Sequence, residues 1–242
     1  MTEPPPQLIV GVLGGMGPAA TIDFMDKLLQ ATGAEREQDN LRLLVDCNPH
    51  VPDRNHPIAD GPQPGPVLAD MASGLQKQGA QIIVMPCNTA HKFTADIRAA
   101  LTIPFISLID ETAAMLARRY PQAKRVGLLA TTTCIEDRLY QDAFAKQGVD
   151  SVTLPPADAA RLMALIYQIK RGDRSDAARA EMKALADQLT AAGAQVVVAA
   201  CTEVPLVLAA HDIAAPLLDT TQVLIERTLA YARDGELILT AA

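Results

Sequence analysis

Tryptophan is absent from this 242-residue chain, and aromatic residues make up only 3% of it, although 49% of its residues are hydrophobic. The core must therefore be built from Ala, Val, Ile and Leu, a set that suits buried parallel strands covered by helices. Basic residues are not in excess. Lys and Arg number 21 against 28 Asp and Glu, a formal net charge of −7, which argues against nucleic acid as the main partner. No apolar run approaches the roughly 20 residues that span a bilayer, so no membrane association is expected. The N-terminal MTEPPPQLIV places an acidic residue and three prolines where a signal peptide carries basic and then apolar residues. A cytoplasmic location is the resulting expectation, with the four cysteines kept as thiols rather than as a disulfide frame. None of them forms a C-x-x-C pair, so the spacing typical of zinc or thioredoxin-like chemistry is missing.

What is present is an alternation of short apolar runs and longer amphipathic stretches. Strands are expected at 8–13, 42–46, 81–86, 104–108, 125–130, 151–155 and 195–200. Helices are expected near 18–31, 65–79, 92–101, 110–119, 137–147, 158–171 and 175–192. In the first helix Ile22, Met25, Leu28 and Leu29 recur at helical spacing, and Pro18 suits a first-turn position. Such alternation implies a parallel sheet with right-handed crossovers. The stretch 49–66 holds six prolines and two glycines and reads as one long loop.

An internal repeat is the most informative feature. Leu75 to Cys87 reads LQKQGAQIIVMPC and Leu189 to Cys201 reads LTAAGAQVVVAAC, a constant offset of 114 residues. Each copy is a helix end, a Gly-Ala-Gln stop, a buried strand, and a cysteine where that strand ends. VGVLGGMG at 10–17 is likewise matched by VGLLATTT at 126–133, offset 116. Two such units in register imply two similar α/β lobes, the first comprising 1–107 with the tail 216–242, the second 108–215. The tail is given to the first lobe because Pro216-Leu217-Leu218-Asp219 resembles a final strand followed by a helix. Ligands of open parallel sheets bind beyond the carboxyl ends of the strands. Lobes facing each other about a pseudo-twofold axis would turn Cys87 and Cys201 into one cleft. Arg54 and Lys170, also 116 residues apart, would add two cations in matched positions.

Inverting an amino acid suits this arrangement. A proton must leave the α-carbon from one face and another must arrive at the opposite face, which calls for two acid/base groups on opposite sides. A free thiol has a pKa of about 8.5, so a modest reduction provides thiolate near neutrality. Helices expected to begin near Thr89 and Thr202 would favour that thiolate through their N-termini. Charge developing on the α-carboxylate needs donors, for which the Gly14–Gly17 amides, Asn88, Thr89 and Thr202 are candidates. Arg54 would hold a carboxylate in a bidentate pair and Lys170 as a point charge.

The stretches GVLGGMGPAAT (11–21), NPHVPDR (48–54), MPCNTAH (85–91), IYQIKRG (166–172) and CTEVPLV (201–207) resemble the aspartate/glutamate racemase family, its aspartate racemase branch most closely. They run in order over nearly the whole chain. The resemblance implies a pseudosymmetric two-lobe α/β fold, independence of pyridoxal phosphate and of metals, no other cofactor, and a homodimer. It implies Cys87 and Cys201 as the acid/base pair and Arg54 and Lys170 on substrate carboxylates. Asn88, Thr89, Thr131, Thr132, Thr202 and Glu203 would line the pocket, with Met16 of the glycine-rich turn above it. Aspartate ahead of glutamate is the expected substrate. The chain departs from the family pattern at Thr133-Cys134, where Gly-Thr is usual, and at Ala200, where glycine commonly precedes the second cysteine.

Other readings stand beside these. The scaffold also serves decarboxylases and isomerases, racemases of wider specificity are relatives, and a non-catalytic binder of small carboxylates would need the same cations. Gly14-Gly15-Met16-Gly17 is a poor dinucleotide fingerprint, with Pro18 inside it and Asp46 too distant for a ribose contact. Cys87 and His91 are spaced to share a helix face, but nothing marks the third group of a Cys–His hydrolase. His50 and His56 alone would join them at a zinc site. His91 is read as a hydrogen-bonding residue shaping the pocket, Cys134 as a neighbour of the pocket and Cys47 as packing. Glu203 has the alternative role of a first-turn helix acid.

Overall fold

The computed structural model describes residues 7–56 and 61–234. The outer ends of the expected lobes and residues 57–60 of the Pro-rich loop lie outside them. Strands β1 (Val10–Gly14), β2 (Leu43–Cys47) and β3 (Ile82–Val84) form one parallel sheet in the order β2-β1-β3. Strands β4 (Arg125–Ala130), β5 (Asp150–Val152), β6 (Val196–Ala200) and β7 (Leu217–Asp219) form a second, also parallel, in the order β5-β4-β6-β7. The helices are α1 (Pro18–Thr32), α2 (Pro64–Lys77), α3 (Thr94–Ala99), α4 (Leu108–Arg119), α5 (Thr132–Glu136), α6 (Leu139–Ala145), α7 (Pro156–Lys170), α8 (Asp176–Ala191) and α9 (Thr220–Asp234). The expected two-lobe α/β architecture is thus the one the chain adopts. None of the helices among the described residues is long and apolar enough to cross a membrane.

The repeat has a packing explanation. Gly79 and Gly193 take φ values of 102° and 95°, a left-handed turn that ends the helix before each cysteine-bearing strand. Ala80 and Ala194 then fold inward, their amides bonded to the carbonyls of Leu75 and Leu189 at 3.0 Å. Gly11 and Gly127, 116 residues apart, make room for them. A Cβ at Gly11 would lie 2.5 Å from Ile83 Cδ1 and 2.9 Å from Ala80 Cβ; one at Gly127 would lie 2.8 Å from Leu189 Cβ and 3.0 Å from Ala194 Cβ. The glutamines finish the unit. Gln81 Oε1 accepts from the Ile9 amide at 2.9 Å, and Gln195 Oε1 from the amides of Lys124 and Arg125 at 2.6 and 3.1 Å. Each Gly-Ala-Gln therefore stops a helix, seats it on the central strand and holds the entry of that strand.

The assignment of 216–219 to the first lobe is corrected by the pairing. Leu217, Leu218 and Asp219 lie opposite Val197, Val198 and Ala199, so this strand extends the second sheet. A short strand before a helix carries no local mark of the sheet it joins, because the partner edge is set by tertiary packing. The helix that follows packs against the first sheet. Leu224, Ile225, Tyr231 and Ala232 of α9 share a core with Val10, Val12, Ile82 and Val84. Conversely Ile109, Ala113, Met115 and Leu116 of α4 pack with Val126, Leu128 and Ala130 of the second sheet. The helix leaving each lobe's last pairing thus covers the other lobe.

Residues 104–108, expected as a strand, make only a bridge between Phe105 and Ile83. Pro104 has no amide to add to a ladder, and Ser107 caps α4 by accepting from the Asp110 amide. That cap starts the helix two residues before the expected 110.

Gly127→Ala should lower unfolding free energy by about 1–3 kcal/mol through overpacking, read from urea midpoints. Gly74→Ala is the control: nothing lies within 4 Å of its Cβ position, and it should add about 0.5–1 kcal/mol.

Candidate active site

Both cysteines sit where a buried strand runs out, and both face one pocket. Cys87 follows β3 and Cys201 follows β6, each 5% exposed. The pocket is lined by Met16, Arg54, Asn55, Cys87, Asn88, Thr89, Thr131, Lys170, Cys201, Thr202 and Glu203. Ten of the eleven site candidates from the sequence line it. Thr132 does not: its side chain is exposed, and its amide points to Met163 Sδ at 3.3 Å. The cause is local. Thr131 acts as the N-cap of α5, taking the Cys134 amide at 3.3 Å, and the first helical residue after an N-cap turns away from the loop.

The two sides of the pocket differ in charge. Lys170, at the end of α7, places Nζ 2.7 Å from Glu203 Oε1. The other oxygen of Glu203 accepts from the Cys201 thiol at 3.0 Å and from the Thr202 hydroxyl at 3.4 Å. Burial, and then Glu203, push the Cys201 thiol well above its ordinary pKa, with Lys170 opposing. Burial is the largest single influence on Lys170 and works against its charge, but Glu203, Cys201 and Cys87 together outweigh it and the net shift is upward. Cys201 is therefore a protonated thiol held on a carboxylate. Its expected helix-dipole assistance is absent, because only a three-residue 3-10 turn, Val204–Leu206, follows it. A 3-10 turn likewise follows Cys87, at Thr89–Phe93.

Arg54 is less free than its spacing suggested. Its guanidinium donates to the carbonyls of Val51, Pro52 and Met16 at 3.2, 3.1 and 3.3 Å. It clasps the Pro-rich loop to the β1–α1 turn, while Nε stays buried without a partner. In that turn the Gly15 amide, one of the expected charge-stabilising donors, is occupied by Thr21 Oγ1 at 2.9 Å. Gly17 faces the ion pair, its Cβ position 3.8 Å from Glu203 Oε1 and 3.9 Å from Lys170 Nζ.

Contacts across the lobes close the pocket. The hydroxyls of Thr89 and Thr131 lie 2.8 Å apart, and Tyr140 donates to Asn88 Oδ1. Lys92 pairs with Asp137 at 2.8 Å. Asn55 lines the pocket and offers its carbonyl to Thr133 at 3.4 Å; sequence reasoning missed it, though it adjoins Arg54. Cys134 lies in the core beneath, its thiol pushed up to about 12 by burial and then by Cys87 and Asp137. Cys47 is exposed at the edge of the first sheet rather than packed.

His91 braces the first cysteine. The Leu108 amide donates to Nε2 at 2.9 Å, so Nδ1 carries the hydrogen and donates to the Cys87 carbonyl at 2.8 Å. With both nitrogens bound to backbone, the imidazole does not serve as base to a thiol, which removes the Cys–His hydrolase reading. Among the described residues no group of three or more His, Cys, Asp or Glu is placed to hold a metal ion.

Comparisons with known proteins agree with this geometry. The family model described as Asp/Glu/Hydantoin racemase matches residues 13–228. The chain is 27% identical over 227 residues to the broad specificity amino-acid racemase RacX of Bacillus subtilis (strain 168), covering 92% of this chain and 97% of that one. It superposes on the Picrophilus torridus aspartate racemase with a TM-score of 0.83 at 27% identity, over 93% of this chain and 94% of that one. The glutamate racemase of Francisella tularensis subsp. tularensis SCHU S4 shares the fold, with a TM-score of 0.70 at 16% identity over 98% of this chain and 85% of that one.

The His91 brace has a pH signature. Burial lowers its pKa from 6.5 to about 4, so between these values the unfolded chain binds a proton that the folded chain refuses. Stability should fall as pH drops from about 6.5 to 4, by up to about 3 kcal/mol from this group. His91→Gln, which keeps one donor and one acceptor, should reduce the slope of unfolding free energy against pH there by about one proton. An unchanged slope would show that His91 titrates normally.

Proposed function

The chain belongs to the Asp/Glu/hydantoin racemase family and is an amino-acid racemase, and on that premise we propose that it inverts acidic amino acids with Cys87 and Cys201 as its acid/base pair. The observation that supports this reading is the convergence of two buried thiols, from two symmetry-related strands, on one small pocket. Aspartate is the favoured substrate, followed by glutamate. Cations at Arg54 and Lys170 match a second carboxylate, and a structural relative at 27% identity is an aspartate racemase. The relative in Bacillus subtilis carries a name denoting broad specificity, and this supports a second reading in which neutral amino acids are also turned over.

In one direction the steps are as follows. The α-carboxylate rests among the Asn88 amide and the Thr89 and Thr131 hydroxyls. Cys201 starts as the thiol, so the thiolate role falls to Cys87, which removes the α-proton as the electron pair moves into the carboxylate. Cys201 gives its proton to the opposite face, and the resulting thiolate faces Lys170. In the other direction Cys201 is the base, with Glu203 and Lys170 placed to exchange its proton. Arg54 and Lys170 sit to hold the side-chain carboxylate of an acidic substrate.

Cys87→Ala and Cys201→Ala should each slow racemisation at least about a hundredfold, the lower range for loss of an acid/base group. Chiral chromatography of the common amino acids with reduced enzyme provides the measurement, and full activity in either variant would end the two-thiol mechanism. In heavy water both enantiomers should gain α-deuterium. A decarboxylase or isomerase would leave amino acids unlabelled, and a passive binder would be stabilised by ligand without exchange.

Arg54→Ala should weaken turnover of aspartate and glutamate more than that of neutral amino acids. Equal loss for all of them would assign Arg54 to the loop clasp alone.

A further inference from the structure

Asn88 lies beside Cys87, 2% exposed, with Nδ2 buried and without a partner in the pocket wall. Its Oδ1 accepts from Tyr140, a fully buried side chain that α6 contributes from the opposite lobe. An amide oxygen and an amide nitrogen have nearly the same shape, so packing alone does not choose between the two orientations of Asn88. Chemistry does. With the nitrogen inward, the amide donates to a carboxylate oxygen; with the oxygen inward, it repels one.

We propose that Tyr140 is a positioning residue for the substrate, its hydroxyl locking the Asn88 amide with Nδ2 turned toward the α-carboxylate. The surroundings of the phenol make it a donor. Thr112 and Thr220 flank its oxygen. Thr220 gives its own hydrogen to the Ala199 carbonyl at 2.8 Å. Thr112 Oγ1, fully buried, is in no well-formed hydrogen bond, so it does not take the phenol's hydrogen. The phenol's own hydrogen goes to Asn88 Oδ1. Burial also raises the Tyr140 pKa, which favours the protonated phenol. Because Tyr140 and Asn88 belong to different lobes, the carboxylate grip is complete only while the lobes are in register. The inference rests on the reading of the pocket as an amino-acid site.

The test is a double-mutant cycle with Tyr140→Phe, which removes the hydroxyl and keeps the ring, in wild-type and Asn88→Ala backgrounds. The readouts are the Kd for L-aspartate by calorimetry, KM and kcat for its racemisation, and Tm. Tyr140→Phe should raise Kd and KM about three- to tenfold, the loss of one hydrogen bond, with kcat within about twofold. In the Asn88→Ala background it should change nothing further. The same loss in both backgrounds, or a lowered Tm with Kd unchanged, would overturn the positioning role and leave Tyr140 as core packing. An Asn88-dependent effect on Kd in an enzyme that exchanges no α-proton would retain the positioning role and overturn the racemisation mechanism instead.

Discussion

Close contact between helix and strand at Gly11 and Gly127 sets the position of both pocket cysteines. Each glycine receives an alanine from the helix stop before the neighbouring strand, with Cβ positions so near that one added methyl group would collide. That contact fixes β3 against β1 and β6 against β4, and the strand registers follow from it. Seven residues after each alanine, just past the strand, the chain delivers Cys87 and Cys201. The path from a rigid packing contact to a pocket thiol is therefore short in both lobes, which suits the positional tolerance that the proposed proton transfer would require.

The backbone is close to symmetric, but the charges are not. Asn88 and Thr89 follow the first cysteine; Thr202 and Glu203 occupy the matching places after the second. Glu203 binds Lys170 with one oxygen and the Cys201 thiol with the other, so one sulfur is stored with its proton and the other faces amide and hydroxyl groups. Thermodynamics permits the asymmetry. Enantiomers with one stereocentre have equal free energy, so kcat/KM must match in both directions however unlike the two walls are. Only kcat and KM taken separately can differ. A buried carboxylate beside a thiol is costly unless it is neutralised, and Lys170 performs that neutralisation at 2.7 Å.

Much of this was legible in the sequence because the repeat is a packing device as well as a motif. Gly79-Ala80-Gln81 and Gly193-Ala194-Gln195 each perform three structural tasks, so their recurrence marked both lobes and both cysteines. The limits lie where a residue's role depends on a partner distant in sequence. Tyr140 reads as an ordinary core aromatic, and nothing near it signals that its hydroxyl reaches Asn88, 52 residues away. Thr132 lies beside Thr131 in the motif, yet the cap at Thr131 turns it outward. Arg54 was identified by spacing, but three backbone carbonyls that no pattern announces hold its guanidinium. The sheet joined by 216–219 depended on an open edge of β6, visible only once the strands are paired.

The exchange of α4 and α9 explains how two similar lobes stay in one arrangement. Each helix packs on the lobe that did not supply the strand before it, and the two meet through Glu111, Arg227 and Tyr231. Arg227 Nε is 2.8 Å from Glu111 Oε2, with both side chains under a tenth exposed. Tyr231 donates to Glu111 Oε1 at 3.0 Å and lies under the Arg227 guanidinium. The ion pair is imperfectly aligned, since Arg227 Nε and Nη2 lack well-directed acceptors. Buried pairs of this kind add little net stability over an apolar contact, but they penalise any displacement that separates the charges. An apolar seam would let the helices slide at little cost. The charged seam resists sliding, and the contacts that need both lobes in place, Thr89 with Thr131 and Tyr140 with Asn88, lie at the pocket that both thiols line.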